Sequence, residues 1–324
     1  MAKKPTNKQL PAKGRSGGKG GSFDRWVIVG IIVALIAIAL SLWGPLRKYR
    51  PGTEKKAVEQ TKKIESVVPT IKKQPSEKPA KKEHKETKIV KKQEDLPVVK
   101  PAEKTAFIAI VIDDLGQDLR AAQDVLALPG RITVAVMPGF PLSKKIAELA
   151  RQDKHEVLLH LPMEYRGKNG KPAPGMLRST MTPMELLTVI GEDLDSVPGA
   201  IGVNNHEGSS LTENREAMKY LMVELQARDL VFLDSLTSAK SLAYATAREL
   251  GMKAAKRDVF IDNESENAEY IRKQLNELTR IAKEKGHAIG IGHPHPATIS
   301  ELRKWLADAE KQGITIVPVS KLMQ

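Results

Sequence analysis

Apolar and polar positions along this chain fall into three regimes. Residues 1–25 are polar and rich in Gly and Lys, with too little apolar surface to bury in a core. From Trp26 to Trp43 eighteen residues pass without a charge, and Gly44-Pro45 closes the run. At about 1.5 Å per residue, residues 26–46 can cross a hydrocarbon core of roughly 30 Å as one helix, with Trp26 and Trp43 at its interfaces. The run has no polar face, so it does not suit a half-buried helix. A cleaved signal peptide is the rival reading, but Ala39-Leu40-Ser41 is a poor cleavage site and the apolar run continues past it. Residues 47–104 show no apolar period; Lys pairs (62-63, 72-73, 81-82, 91-92) recur among prolines at 51, 69, 75, 79, 97 and 101. That composition reads as a self-repelling, disordered linker.

From residue 105 the pattern changes to short apolar runs alternating with amphipathic stretches. The strands predicted are 106–112, 132–137, 156–160, 200–204, 230–234, 253–256 with 259–261, 288–292 and 314–317. Helices are predicted over 119–128, 142–150, 182–197, 214–228, 241–250, 266–285 and 298–311. Thr182-Pro183-Met184-Glu185 is a capping box with Pro at the first helical position, and Gly251 and Gly286 close two of the others. Regular alternation of this kind predicts an α/β fold with mostly parallel strands, open or closed into a barrel.

Charge sharpens the division. The chain is +13 overall, but residues 1–104 hold 25 basic and 10 acidic side chains, leaving 27 and 29 for residues 105–324. The folded part therefore lacks the basic face that a nucleic-acid partner needs. Basic residues flank the apolar run on both sides, so charge alone does not orient it; a short tail (1–25) in the cytoplasm and a large domain outside is the simplest single-pass arrangement. Cysteine is absent, which excludes disulfides and thiolate metal sites.

The chemistry gathers at predicted strand ends. Asp113 and Asp114 end the first strand, His160 the third, Asn204-Asn205-His206 the fourth, Asp234-Ser235 the fifth and His293 the seventh. In a parallel sheet these carboxyl ends lie on one rim, so residues far apart in sequence converge. Adjacent carboxylates repel, and a bound cation is the usual reason for keeping both. Two imidazoles and one carboxylate make a divalent-metal site with room for water, while a further carboxylate and a histidine across the rim can move protons. His295 competes with His293 for that last role, and Glu164 and Arg178 border a Gly/Pro loop that can line a groove.

Five segments carry a family resemblance: Ile112-Asp113-Asp114-Leu115-Gly116, Leu158-Leu159-His160-Leu161-Pro162-Met163-Glu164, Asn204-Asn205-His206-Glu207-Gly208-Ser209, Phe232-Leu233-Asp234-Ser235 and Ile289-Gly290-Ile291-Gly292-His293-Pro294. In this order they resemble the divergent polysaccharide deacetylase family, over about residues 106–322. The resemblance implies a distorted (β/α) barrel and a bacterial envelope setting, here the inner membrane. It also implies that Asp113 is the catalytic base and Asp114 a metal ligand. The His-x-x-x-His motif that supplies both metal histidines in better understood deacetylases is absent, and the two ligands are assigned to His160 and His206. His293 takes the place of the general acid, and the Arg-x-Pro-Tyr element is missing.

The expectation is a membrane-anchored hydrolase, with one divalent ion, zinc, that removes N-acetyl groups from a polysaccharide such as peptidoglycan. Glu164, Asn204, Asn205, Asp234 and Ser235 are expected to line the substrate. A glycan-binding or division-associated protein on a degenerate barrel is the alternative, and glycoside hydrolysis by Asp113 and Glu164 is a third reading.

Overall fold

The structure is a computed structural model that describes residues 105–167 and 172–324. The expected tail, membrane anchor and linker (1–25, 26–46 and 47–104) lie outside the described residues. Among the described residues, no helix is long and apolar enough to cross a membrane.

Nine strands alternate with helices: β1 (Ala106–Leu115), α1 (Leu119–Leu126), β2 (Thr133–Val136), α2 (Ser143–Gln152), β3 (Glu156–Met163), α3 (Pro183–Ser196), β4 (Gly202–Glu207), α4 (Arg215–Ala227), β5 (Val231–Asp234), α5 (Ala243–Glu249), β6 (Ala254–Lys256), β7 (Val259–Phe260), α6 (Ala268–Lys285), β8 (His287–Gly292), α7 (Pro296–Asp308) and β9 (Ile314–Ile316). Their ends follow local chemistry. Thr182 and Glu185 form the capping box of α3, Asn214 and Asn267 cap α4 and α6, and Gly286 closes α6 in the left-handed region.

All the strand pairs are parallel, in the order β6-β5-β4-β3-β2-β1-β8-β7, with β9 paired to the start of β1. The two ends of that order, β6 and β7, are separated in sequence only by Arg257 and Asp258. Three Cα steps span at most about 11 Å, so the sheet must curl until its edges nearly meet. No ladder joins those edges among the described strands. Arg257 reaches one side, donating to the carbonyls of Ser235 (2.7 Å) and Leu236 (3.0 Å), while Asp258 brackets Ile289 on the other through both its N–H and its carboxylate, each at 2.9 Å. The expected distorted barrel is thus a curled half-barrel with one side-chain-bridged seam.

Strand alternation sorts the core into two parts. Ile108, Ile110, Ile112, Leu159, Leu161, Val203 and Phe232 face outward and pack against the helices. Ala109, Val111, Ala135, Leu158, Leu233, Ala255, Ile289 and Ile291 face inward and pack with Val319, against which Leu322 and Met323 lie. The chain's last turn, Val319–Leu322, closes the lower mouth: Val319 N–H donates to Thr133 Oγ1 at the start of β2, and Ser320 bonds Glu156 at the start of β3. The opposite mouth is left open.

Asp193 is a buried carboxylate outside this scheme. Asp193 of α3 is buried against Gly175, whose φ of +72° and missing Cβ make the room; its Oδ2 has no hydrogen-bond partner. Burial, with Glu192 nearby, pushes its carboxyl up to about 8 from 3.8. The native state then holds a proton that the unfolded chain releases above about pH 4. Stability should therefore fall as pH rises between about 4 and 8, by at most about 1.4 kcal/mol per pH unit, and level off above. Asp193→Asn is expected to remove that slope and exceed the wild type in stability above pH 8. Urea unfolding across this pH range checks it; parallel curves for the two proteins would show that Asp193 carries no such shift.

Candidate active site

Inward parity in β1 runs Ala109, Val111, Asp113, so Asp113 emerges at the open mouth with its side chain still buried. The following residue should point out to the helices. Instead the β1–β2 register slips between Ile112 and Leu115, and Asp114 adopts a left-handed φ of +60°. This bulge swings the second carboxylate to the same mouth as the first. A left-handed non-glycine residue costs about 1 kcal/mol or more, which Asp tolerates better than most. Glu207 at the end of β4 and Leu236 just past β5 are left-handed as well, as are Lys154 and Asp229 ahead of β3 and β5.

The same inward parity delivers His160 from β3 and Asn204 and His206 from β4. His160 pairs with Asn204 and Pro162 with His206, so the two imidazoles are diagonal neighbours across adjacent strands, ring centres 4.9 Å apart. His160 Nε2 lies 3.1 Å from Asp114 Oδ1, His206 Nδ1 lies 2.9 Å from that oxygen, and the two nitrogens are 3.1 Å apart. Asp114 Oδ1 is buried and lies at ion-pair distance from both imidazoles.

Such a triangle fits a cation. Donors about 2.0 Å from a tetrahedral ion are about 3.3 Å from one another. Asp114, His160 and His206 offer one ligand atom each at close to that spacing, and the third contact of His160, Nδ1 to Asn204 Oδ1 at 3.0 Å, orients the ring. Burial alone would raise Asp114, but the two imidazoles outweigh it and hold its carboxyl below the ordinary carboxylate range. For Asp113 burial wins: its carboxyl lies above the ordinary range despite the pull of His160 and His293.

Across the mouth His293 follows the inward Ile289 and Ile291 of β8, with Nε2 3.8 Å from Asp114 Oδ2. Its Nδ1 is 3.0 Å from Asp262 Oδ1, while Asp262 Oδ2 accepts from His293 N–H (2.7 Å) and from Thr298 Oγ1 (2.8 Å). Burial opposes a charged ring, yet Asp262 and the Asp113–Asp114 pair push His293 up to about 9. His295 is exposed beside it, ring centres 5.8 Å apart. Asp262, His293 and His295 also stand close enough to hold an ion, but both oxygens of Asp262 are already bonded to His293 and Thr298.

A family model for divergent polysaccharide deacetylases matches residues 110–323, which is more than half of the chain. The chain belongs to the divergent polysaccharide deacetylase family. Protein YibQ of Escherichia coli is 39% identical over 216 residues, 67% of each chain. An uncharacterized protein of Haemophilus influenzae is 36% identical over 199 residues, 61% of this chain and 70% of its own. Among solved structures, the uncharacterized protein ATU2773 from Agrobacterium tumefaciens superposes with a TM-score of 0.65 at 28% identity, covering 68% of this chain and 89% of that one.

In this deacetylase-family domain the residues expected to line substrate are placed differently from one another. Asn204, Asn205, Asp234 and Ser235 are buried and bonded to protein. Asp234 faces outward, where Oδ2 accepts from Ser241 Oγ and Tyr244 N–H at the start of α5 and Oδ1 accepts from Leu236 N–H. Asn205 ties β4 to β5: its Oδ1 accepts from Ser235 N–H, and its Nδ2 donates to Glu207 O and Thr237 Oγ1. Through these contacts the four side chains support the mouth. Glu164 is half-buried, and its Oε2 accepts from Ser179 N–H at 2.6 Å, which pins the loop that Arg178 borders. A cleft of about 570 Å³ lined by Met176, Arg178 and Asp193, among others, contains none of the converging donors, which are what place the chemistry at the upper mouth.

Asp262 went unmarked in the sequence, although Val259-Phe260-Ile261-Asp262 repeats the pattern of an apolar run stopped by an acid. Single replacement of Asp114, His160 or His206 by Ala should reduce bound zinc from about one ion per chain to below about a tenth, whereas His295→Ala should leave it unchanged. Elemental analysis of the purified proteins checks this; full zinc in any of the first three would break the triangle.

Proposed function

We propose that this protein is a metal-dependent hydrolase that removes N-acetyl groups from a polysaccharide of the bacterial envelope, peptidoglycan or a similar polymer. The observation that supports this best is the division of labour at one mouth: a three-donor cluster, a second carboxylate beside it and an imidazole–carboxylate pair opposite. A divalent ion held by Asp114, His160 and His206, for which zinc suits the donor set, would polarise the acetamide carbonyl and acidify water.

Asp113 is assigned as base. Its Oδ1 is held by Asn204, its Oδ2 lies 3.6 Å from His160 Nε2, and its raised proton affinity suits it to take a proton from the attacking water. His293 is assigned as acid. Asp262 fixes its Nδ1 side and keeps the ring protonated, so Nε2 can give a proton to the amine as the C–N bond breaks. Acetate and a free amino sugar leave. Asp262 is a positioning residue in this scheme.

The same proposal sets residues 26–46 across the inner membrane, with the domain outside the cytoplasm. Residues 47–104 would be a tether of on the order of 190 Å when fully extended.

Acetate release from N-acetylated envelope glycans tests the reading. Asp113→Asn should lower it by about 10²–10⁴-fold with zinc content intact. Asp262→Asn should lower kcat by about 10-fold or more with little change in KM. Release of reducing ends in place of acetate would make the protein a glycosidase, and polymer binding with neither product would make it a binding protein.

A further inference from the structure

Asn204 is fully buried, and its one amide is shared three ways. Oδ1 lies 3.0 Å from His160 Nδ1, while Nδ2 donates to Asp113 Oδ1 at 2.8 Å and to Ser235 Oγ at 3.2 Å. An ionised carboxylate can only accept, so Asp113 dictates which end of the amide faces it. The carbonyl end is then turned to His160, and a ring nitrogen bonds to it only as Nδ1–H. In the neutral ring that tautomer leaves Nε2 as a lone pair, 3.1 Å from both Asp114 Oδ1 and His206 Nδ1. A reversed amide would set a carbonyl against a carboxylate and call for the opposite tautomer.

We propose that Asn204 is a positioning residue that couples the two halves of the site. Through one amide it locks His160 in the tautomer that can hold a cation, and it turns Asp113 so that Oδ1 is occupied and Oδ2 is left for the reaction. The bond to Ser235 anchors the amide plane to β5, so neither half can shift alone. This inference rests on the hydrolase reading above.

Two substitutions separate the two couplings. In Asn204→Asp the side chain still accepts from His160 Nδ1–H but can no longer donate to Asp113. Zinc affinity, read by competition with a chelating dye, should stay within about 3-fold of wild type, while acetate release should fall by about 10²-fold or more. Asn204→Leu keeps the volume and removes both bonds, so zinc affinity should fall by about 10–100-fold together with turnover. Urea unfolding identifies variants that do not fold. Should Asn204→Leu be one of them, Asn204→Asp decides alone: zinc retained with turnover lost supports the coupling, and any other pairing of the two readouts overturns it. Equal loss of zinc in both variants, or wild-type zinc affinity in a folded Asn204→Leu, would also overturn it. If the wild type itself binds no zinc, the hydrolase reading fails first, and the coupling with it. Zinc binding by the wild type with contrary variants removes the Asn204 inference alone.

Discussion

The site depends on a local conflict between strand alternation and charge. Successive residues of a strand point to opposite faces, so two adjacent aspartates cannot both face the inside of a regular β1. The bulge between Ile112 and Leu115 and the left-handed φ of Asp114 break that rule at one residue. Two carboxylates then meet at one mouth, 3.6 Å and 3.1 Å from the same imidazole nitrogen. The arrangement costs backbone strain and like-charge repulsion at once, and the two imidazoles beside Asp114 Oδ1 offset part of the repulsion. A cation among the three donors would offset both.

The rest of the fold supplies the rigidity that such a site needs. The lower mouth is filled by the C-terminal turn, whose backbone bonds run to Thr133, Glu156 and Ala254, at or near the starts of three strands. The upper mouth is held across the seam by Arg257, whose guanidinium bonds two carbonyls just past β5 and stacks on Phe260, while Phe260 in turn lies against the His293 ring. A sheet that closes by hydrogen-bonded ladders needs no such bridge. This one does not close, and a side chain does the joining next to the residue assigned as acid. Arg257 also carries positive charge toward Asp113 and Asp234. The seam is thereby part of the electrostatics of the site as well as of its frame.

Much of this was legible in the sequence because the signal was long-range and regular. Apolar runs stopped by Asp, His or Asn lie at the rim for Asp113, His160, His206 and His293, and the Thr182–Glu185 box and the cap at Gly286 lie where the pattern put them. What strand ends alone do not tell is which face a residue takes. Leu233 and Ser235 point inward and Asp234 points outward, so of two adjacent polar residues only one belongs to the interior, and the other caps a helix. Asn204 and Asn205 differ in the same way. Counting parity from the apolar residues of each strand resolves all four. It would have misplaced Asp114, because a bulge is set by backbone geometry that the pattern of side chains does not encode. Asp262 was hidden for another reason: β7 is only two residues long, too short to present a period.

The buried polar residues at the upper mouth form one connected set. Ser235 receives from Asn204, Asn204 joins His160 to Asp113, and His160 adjoins Asp114 and His206. A buried network is favourable only when its members are satisfied, and each unpaired group costs about 1–3 kcal/mol. Here the links around the centre have hydrogen-bonding partners of the right kind: the carboxylate accepts, the amide both donates and accepts, and the ring donates through Nδ1. The three atoms at its centre stand about 3 Å apart, a spacing that also suits donors around one cation. Asn204 ties down His160 through its far side, so that its Nε2 is held beside Asp114 and His206.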